Sequence, residues 1–145
     1  MDFEGLENSG IIKKVGFKEE AVKELIDLAE RDLRLARKML KQDLDWAFNI
    51  AYNSMLQSSR ALMFFHGFRP VGRDQHLTVE KFVSIALGEK FKEKVNAFDR
   101  IRRKRHTATY DRAGIISNYE ANYCISIAQE FMEEIKKAIK RKNKR

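Results

Sequence analysis

The chain has 145 residues, of which 43% are apolar and 34% charged, with a formal net charge of +8. That length supports one domain around a single core, and the apolar and charged fractions exclude a disordered tail and a membrane-embedded chain. The longest stretch without a charge, Trp46 to Ser59, is too short and too polar to span a bilayer.

Residues 1–16 are read as an N-terminal arm, with no charged-then-apolar leader that would mark export. A helical bundle is expected over 17–139 and a basic tail over 140–145. From Val22 the apolar series Val22, Leu25, Ile26, Ala29, Leu33, Ala36, Leu40 advances in steps of three and four, which predicts one long amphipathic helix. Asp43 to Asp45 reads as a polar turn. A second long helix is predicted from about Trp46 to His66, stopped by Gly67 with Pro70 just beyond. Its small residues Ala47, Ala51, Ser54, Ser58 and Ala61 recur at helical spacing and allow close approach of a neighbour, so this is expected to be the central helix.

Phe68 to Asp74 is predicted to be a loop, followed by a shorter helix over Leu77 to Leu87 that ends at Gly88. A fourth helix begins near Glu89 and shows Phe91, Val95, Phe98 and Ile101 on one face. Thr107 to Ile116 breaks the pattern. Ser117 and Glu120 form a capping-box pair that marks the start of the last helix. That helix carries Ala121, Ile125, Ala128, Met132, Ile135 and Ile139. No period-two pattern is visible, and the prediction is an all-α, antiparallel up-and-down bundle of four to five helices.

Lys136 to Arg145 holds seven basic and no acidic residues, so the rest of the chain, with 22 basic against 21 acidic side chains, is close to neutral. Such a tail favours any polyanion in a salt-dependent, sequence-blind way, and it equally suits a solvated helix end. The one cysteine, Cys124, lies on the apolar stripe and reads as core. It can form no internal disulfide, which together with the missing leader predicts a cytoplasmic protein.

No phosphate-binding glycine loop, nucleophile elbow or metal-ligand spacing is present, so neither a metal nor another cofactor is expected. His66 and His76 read as structural. The segment Arg100-Ile-Arg-Arg-Lys-Arg-His-Thr-Ala-Thr-Tyr110 is the unusual one, with five basic residues within six positions beside a histidine and a tyrosine. Arg102 and His106, four apart, can share a helix face. Guanidinium forks suit phosphate, and imidazole can move protons at neutral pH.

The second helix, Ala51-Tyr-Asn-Ser-Met-Leu-Gln-Ser-Ser-Arg-Ala-Leu-Met-Phe-Phe-His-Gly67, resembles the signature of the HEPN superfamily (higher eukaryotes and prokaryotes nucleotide-binding domain). His76 followed by Val79 and Phe82 is similar to the family's next element, and the arginine-rich segment falls where the family carries its arginine–histidine motif. The resemblance spans about Glu20 to Lys137. It implies a helical bundle that dimerises across a cleft. It also implies either a metal-independent endoribonuclease, often a toxin paired with a nucleotidyltransferase, or a module that binds nucleotide without cutting. Two registers fit. In one, Arg100 and His106 supply the motif's arginine and histidine. In the other, which matches better, Arg105 is the motif arginine, His106 its polar neighbour, and Tyr110 stands in the histidine's place.

The resemblance thus nominates His106, Arg100 and Tyr110 as catalytic candidates, and Arg102 and Arg105 as phosphate-binding residues. A phenol is a poor base at neutral pH, so the second register implies a homodimer that binds RNA or nucleotide phosphate, with ribonuclease activity weak or lost. An active toxin and a structural dimer without a phosphate site remain the alternatives, and no membrane partner is expected.

Overall fold

The computed structural model describes residues 2–143, with side chains described as far as Arg141. The end of the predicted basic tail, residues 144 and 145, lies outside the described residues. The fold is an all-α bundle with one short two-stranded ribbon, and its long elements follow the apolar periods. Helix α2 (Glu19–Met39) buries Val22, Ala29, Leu33 and Ala36, and carries Glu19 and Glu20 in its first turn and Arg37 and Lys38 in its last. Those charges oppose the partial charges of the helix ends. Asp43 then caps α3 (Leu44–Phe65), its carboxylate accepting from the Trp46 N–H at 3.0 Å.

Helix α3 is central and touches α2, α4, α5 and α6. Ala47, Ala51, Ser54, Ser58 and Ala61 are all buried. The Ser54 hydroxyl donates to the Ala29 carbonyl of α2 at 2.8 Å, which shows how closely the small side chains let the two backbones approach. Gly67 ends the helix with φ +82, a conformation that disfavours any other residue.

The connection from Gly67 contains the main departure from the sequence reading. Phe68–Pro70 is a short strand, β2, paired antiparallel with β1 (Ile12–Lys14), with Ile12 opposite Pro70 and Lys14 opposite Phe68. Three-residue strands are too short to show an alternation, and this ribbon exists because the chain ahead of α2 packs back on the bundle. There, α1 (Phe3–Asn8) buries Leu6, and Phe3 stacks on Phe82 at 4.3 Å.

Helix α4 (Gln75–Leu87) ends at Gly88, and a single tight turn leads into α5 (Lys92–His106). Thr107 to Asp111 continues the helix as one π turn, closed by the Arg112 N–H on the Thr107 carbonyl at 2.9 Å. Helix α6 (Asn118–Asn143) opens on the capping box: Ser117 and Glu120 exchange backbone-to-side-chain hydrogen bonds at 3.0 Å each. The backbone bond from Ser117 lowers the pKa of Glu120. The core centres on Tyr52, Phe82, Phe98 and Phe131, and Cys124 is buried within it, its thiol pushed up by burial. Among the described residues no helix is long and apolar enough to cross a membrane.

Candidate functional site

The cations of α5 are not equivalent. Arg102 has its donors engaged: its Nε donates to Glu80 of α4 at 3.0 Å and its Nη2 to Asp99 at 2.8 Å, while Arg103 adds a second contact to Asp99 at 3.1 Å. Glu80 is only 4% exposed. Burial and the adjacent Asp99 carboxyl push its pKa up to about 8 against the pull of Arg102. The hydrogen bond from Arg102 holds Asp99 below the usual carboxylate range.

Arg105 is anchored without an acid. Its Nε donates to the Asn49 side-chain oxygen at 2.6 Å, and its guanidinium lies 5.2 Å from the centre of the Tyr52 ring. Both anchors belong to α3, so the charge is held in place, and it makes no ion pair among the described residues, although Asp43 and Asp45 line a neighbouring depression with it. Tyr52 is fully buried and its hydroxyl meets His76 Nδ1 at 2.8 Å. Burial first, and Glu80 second, raise the phenol's pKa, so Tyr52 stays protonated. Burial also lowers the pKa of His76, reinforced by Arg105, Arg60 and Arg102.

These groups surround a depression of about 310 Å³ between the end of α5 and the start of α4, lined by Arg102, Arg105 and His106 on one side and Asp74 to Leu77 on the other. Asp74 sits in the left-handed region at φ 55 and makes no side-chain cap. The structure therefore brings three of the five nominated residues, Arg102, Arg105 and His106, to one depression. Tyr110 is 67% exposed, with its ring 4.8 Å from that of His106. Arg100 lines a different depression, with Lys104, Tyr119 and Tyr123. On a helix, residues six apart point well away from each other.

The loop after the π turn is fastened to α3 as well, by the Gly114 N–H donating to Asp45 at 2.7 Å. The sequence does not single out Asn49, Tyr52 or His76 as site residues. Tyr52 stands within the string that carries the family resemblance, but its approach to Arg105 of α5 depends on tertiary packing. His76 reads in sequence as a loop residue and becomes part of the site because α4 begins at Gln75. Among the described residues no group of three or more histidine, cysteine or carboxylate side chains is placed to hold a metal ion.

The helical bundle thus presents an arginine without an ion pair and two imidazoles at one helix junction. The HEPN domain family matches residues 22–139, and the chain belongs to that family. In fold it is similar to the crystal structure of TT1696 from Thermus thermophilus. The TM-score is 0.64 and the identity 16%, over 81% of this chain and 97% of that one. No curated protein sequence matches the chain.

Proposed function

We propose that the chain binds the phosphate of RNA or of a nucleotide in the depression between α4 and α5, and that metal-independent endoribonuclease activity is weak or lost. The observation that carries this reading is Arg105, a guanidinium fixed by Asn49 and Tyr52 with no acid among its anchors. A fixed planar fork can take two phosphate oxygens, and the first turn of α4 adds the positive end of a helix to the same depression. Cleavage would require attack of a ribose 2′-oxygen on the adjacent phosphorus as the bond to the 5′-oxygen breaks. His106 would take the 2′-proton and return one to the leaving oxygen, Arg105 would stabilise the added charge, and Tyr110 would orient His106. The register Arg105 to Tyr110 leaves a phenol where the motif's histidine would stand, which favours binding over cutting.

The Arg100–His106 register, and with it an active toxin paired with a nucleotidyltransferase, has less support within one protomer because the two side chains line separate depressions. A homodimer fits the exposed aromatic residues around α5. The test is labelled single-stranded RNA in EDTA, with the wild type, Arg105→Ala and His106→Ala. The wild type is expected to bind and to cleave slowly or not at all. Arg105→Ala should weaken binding about tenfold or more, the scale of a lost hydrogen bond to a charged group, and His106→Ala should cost less. Rapid cleavage abolished in a folded His106→Ala would move the reading to an active ribonuclease. A wild type that binds no RNA would remove it.

A further inference from the structure

We propose that His76 is an uncharged second contact in this site: an imidazole fixed with its proton on Nε2, donating a hydrogen bond to the phosphate held by Arg105. The inference rests on the phosphate reading above and adds a residue and a role to it.

The geometry fixes the tautomer. The Tyr52 hydroxyl is 2.8 Å from His76 Nδ1, and Tyr52 is fully buried. Burial and Glu80 keep the phenol protonated, so it carries one proton that needs an acceptor. His76 Nδ1 is its hydrogen-bond partner among the described residues. Were Nδ1 itself protonated, the phenol proton would be stranded in the interior, an arrangement that folded proteins rarely tolerate. Nδ1 therefore accepts, and the ring's single proton sits on Nε2. His76 lines the depression. With its Nδ1 edge turned to Tyr52, the Nε2 edge is the one left for a ligand.

The charges around the ring keep it neutral. Arg60, Arg102 and Arg105 all oppose a second proton, and burial opposes it more strongly still. Two acids face the same region: Asp74 at the rim and Glu80 one turn further along α4. Glu80 is engaged by Arg102 and shares a proton-favouring contact with Asp99. Among the described residues, neither acid pairs with Arg60 or Arg105.

This arrangement separates the two imidazoles. His76 has its acceptor nitrogen occupied and its other nitrogen protonated, so it cannot take a proton from a ribose hydroxyl. It can donate, directionally, beside cations that a second positive charge would repel. A neutral imidazole held as a hydrogen-bond donor is a known way to polarise an oxygen at neutral pH. His106, exposed at the mouth of the same depression, is left as the imidazole that exchanges protons.

The experiment combines side-chain nitrogen NMR with binding, using the full chain and a short single-stranded oligouridylate. His76 is expected in the Nε2–H form alone at neutral pH, taking up a second proton only below the ordinary imidazole range. Its Nε2–H resonance should shift when the oligonucleotide is added. Tyr52→Phe should restore a mixture of tautomers. His76→Gln, whose amide nitrogen reaches the Nε2 position, should keep most of the affinity. His76→Asn, which cannot reach it, should lose about tenfold, with circular dichroism confirming both folds. An Nδ1–H tautomer, an imidazolium at neutral pH, or wild-type binding in both variants would overturn the proposal and leave the phosphate site standing. A wild type that binds no oligouridylate would overturn the phosphate site, and this inference with it.

Discussion

Arg102 and Arg105 stand three positions apart on α5 and differ in what lies across from them. Glu80 and Asp99 surround Arg102, so its donors are taken up inside the protein. Arg105 meets an amide and an aromatic face, which hold the guanidinium without cancelling it. That distinction predicts the outcome of a conservative change. Lysine keeps the charge but has neither the fork that reaches Asn49 nor the flat face that lies over Tyr52. Arg105→Lys should therefore lose RNA affinity nearly as far as Arg105→Ala, about tenfold by fluorescence anisotropy, with unchanged helicity. Affinity close to wild type would mean that charge alone operates there. The sequence shows the cluster of cations but not which of them is free, because the deciding partners are remote. Glu80 lies 22 positions from Arg102, and Asn49 lies 56 from Arg105.

The elements fall into two groups by how legible they are. Helices α2, α3 and α6 declare themselves through apolar steps, the Gly67 stop and the Ser117–Glu120 box, because those signals are local. The ribbon of β1 and β2 and the π turn at Thr107–Asp111 are not local. The first depends on the N-terminal segment packing back. The second is followed by a loop whose Gly114 is held by Asp45 of α3, 69 positions away. Between α4 and α5 the decisive contact is the buried Glu80, and it makes stability depend on pH in a definite direction. Its folded pKa, about 8, lies above the ordinary glutamate value of 4.5, so the folded state binds the proton more tightly. The stabilisation is complete below about pH 4.5 and is lost as the pH rises towards 8. Glu80→Gln, which stays neutral, should unfold in urea with a smaller decline in midpoint across that window than the wild type. Equal declines would show that Glu80 is ionised throughout, with Arg102 outweighing its burial.

At the scale of the whole molecule, one face remains unexplained by the fold of a single chain. Trp46 is 55% exposed, Tyr110 67% and Tyr119 77%, and Tyr119 stacks with Tyr123 at 6.3 Å. These rings flank α5: Trp46 shares a depression with Arg105, and Tyr119 and Tyr123 share one with Arg100 and Lys104. Phe64, Phe65 and Phe68, large apolar residues that in sequence also call for cover, are already half-buried within the chain. Of the cations of α6, Lys136 is paired to Glu30 and Arg141 to Glu134. Large exposed rings on either side of α5 are candidates for an interaction surface. A second copy is the occupant that HEPN resemblance implies, and it would set two phosphate depressions on either side of one cleft. Sedimentation at about 50 micromolar, well within reach of an ordinary interface, should therefore show a dimer. Trp46→Asp combined with Tyr119→Asp should give a folded monomer, since both side chains are exposed and leave the core untouched. That monomer should also bind RNA more weakly than the dimer, because a strand would meet one Arg105 instead of two. A wild type that sediments as a monomer would confine the site to one chain and leave these aromatic residues to contact the ligand directly.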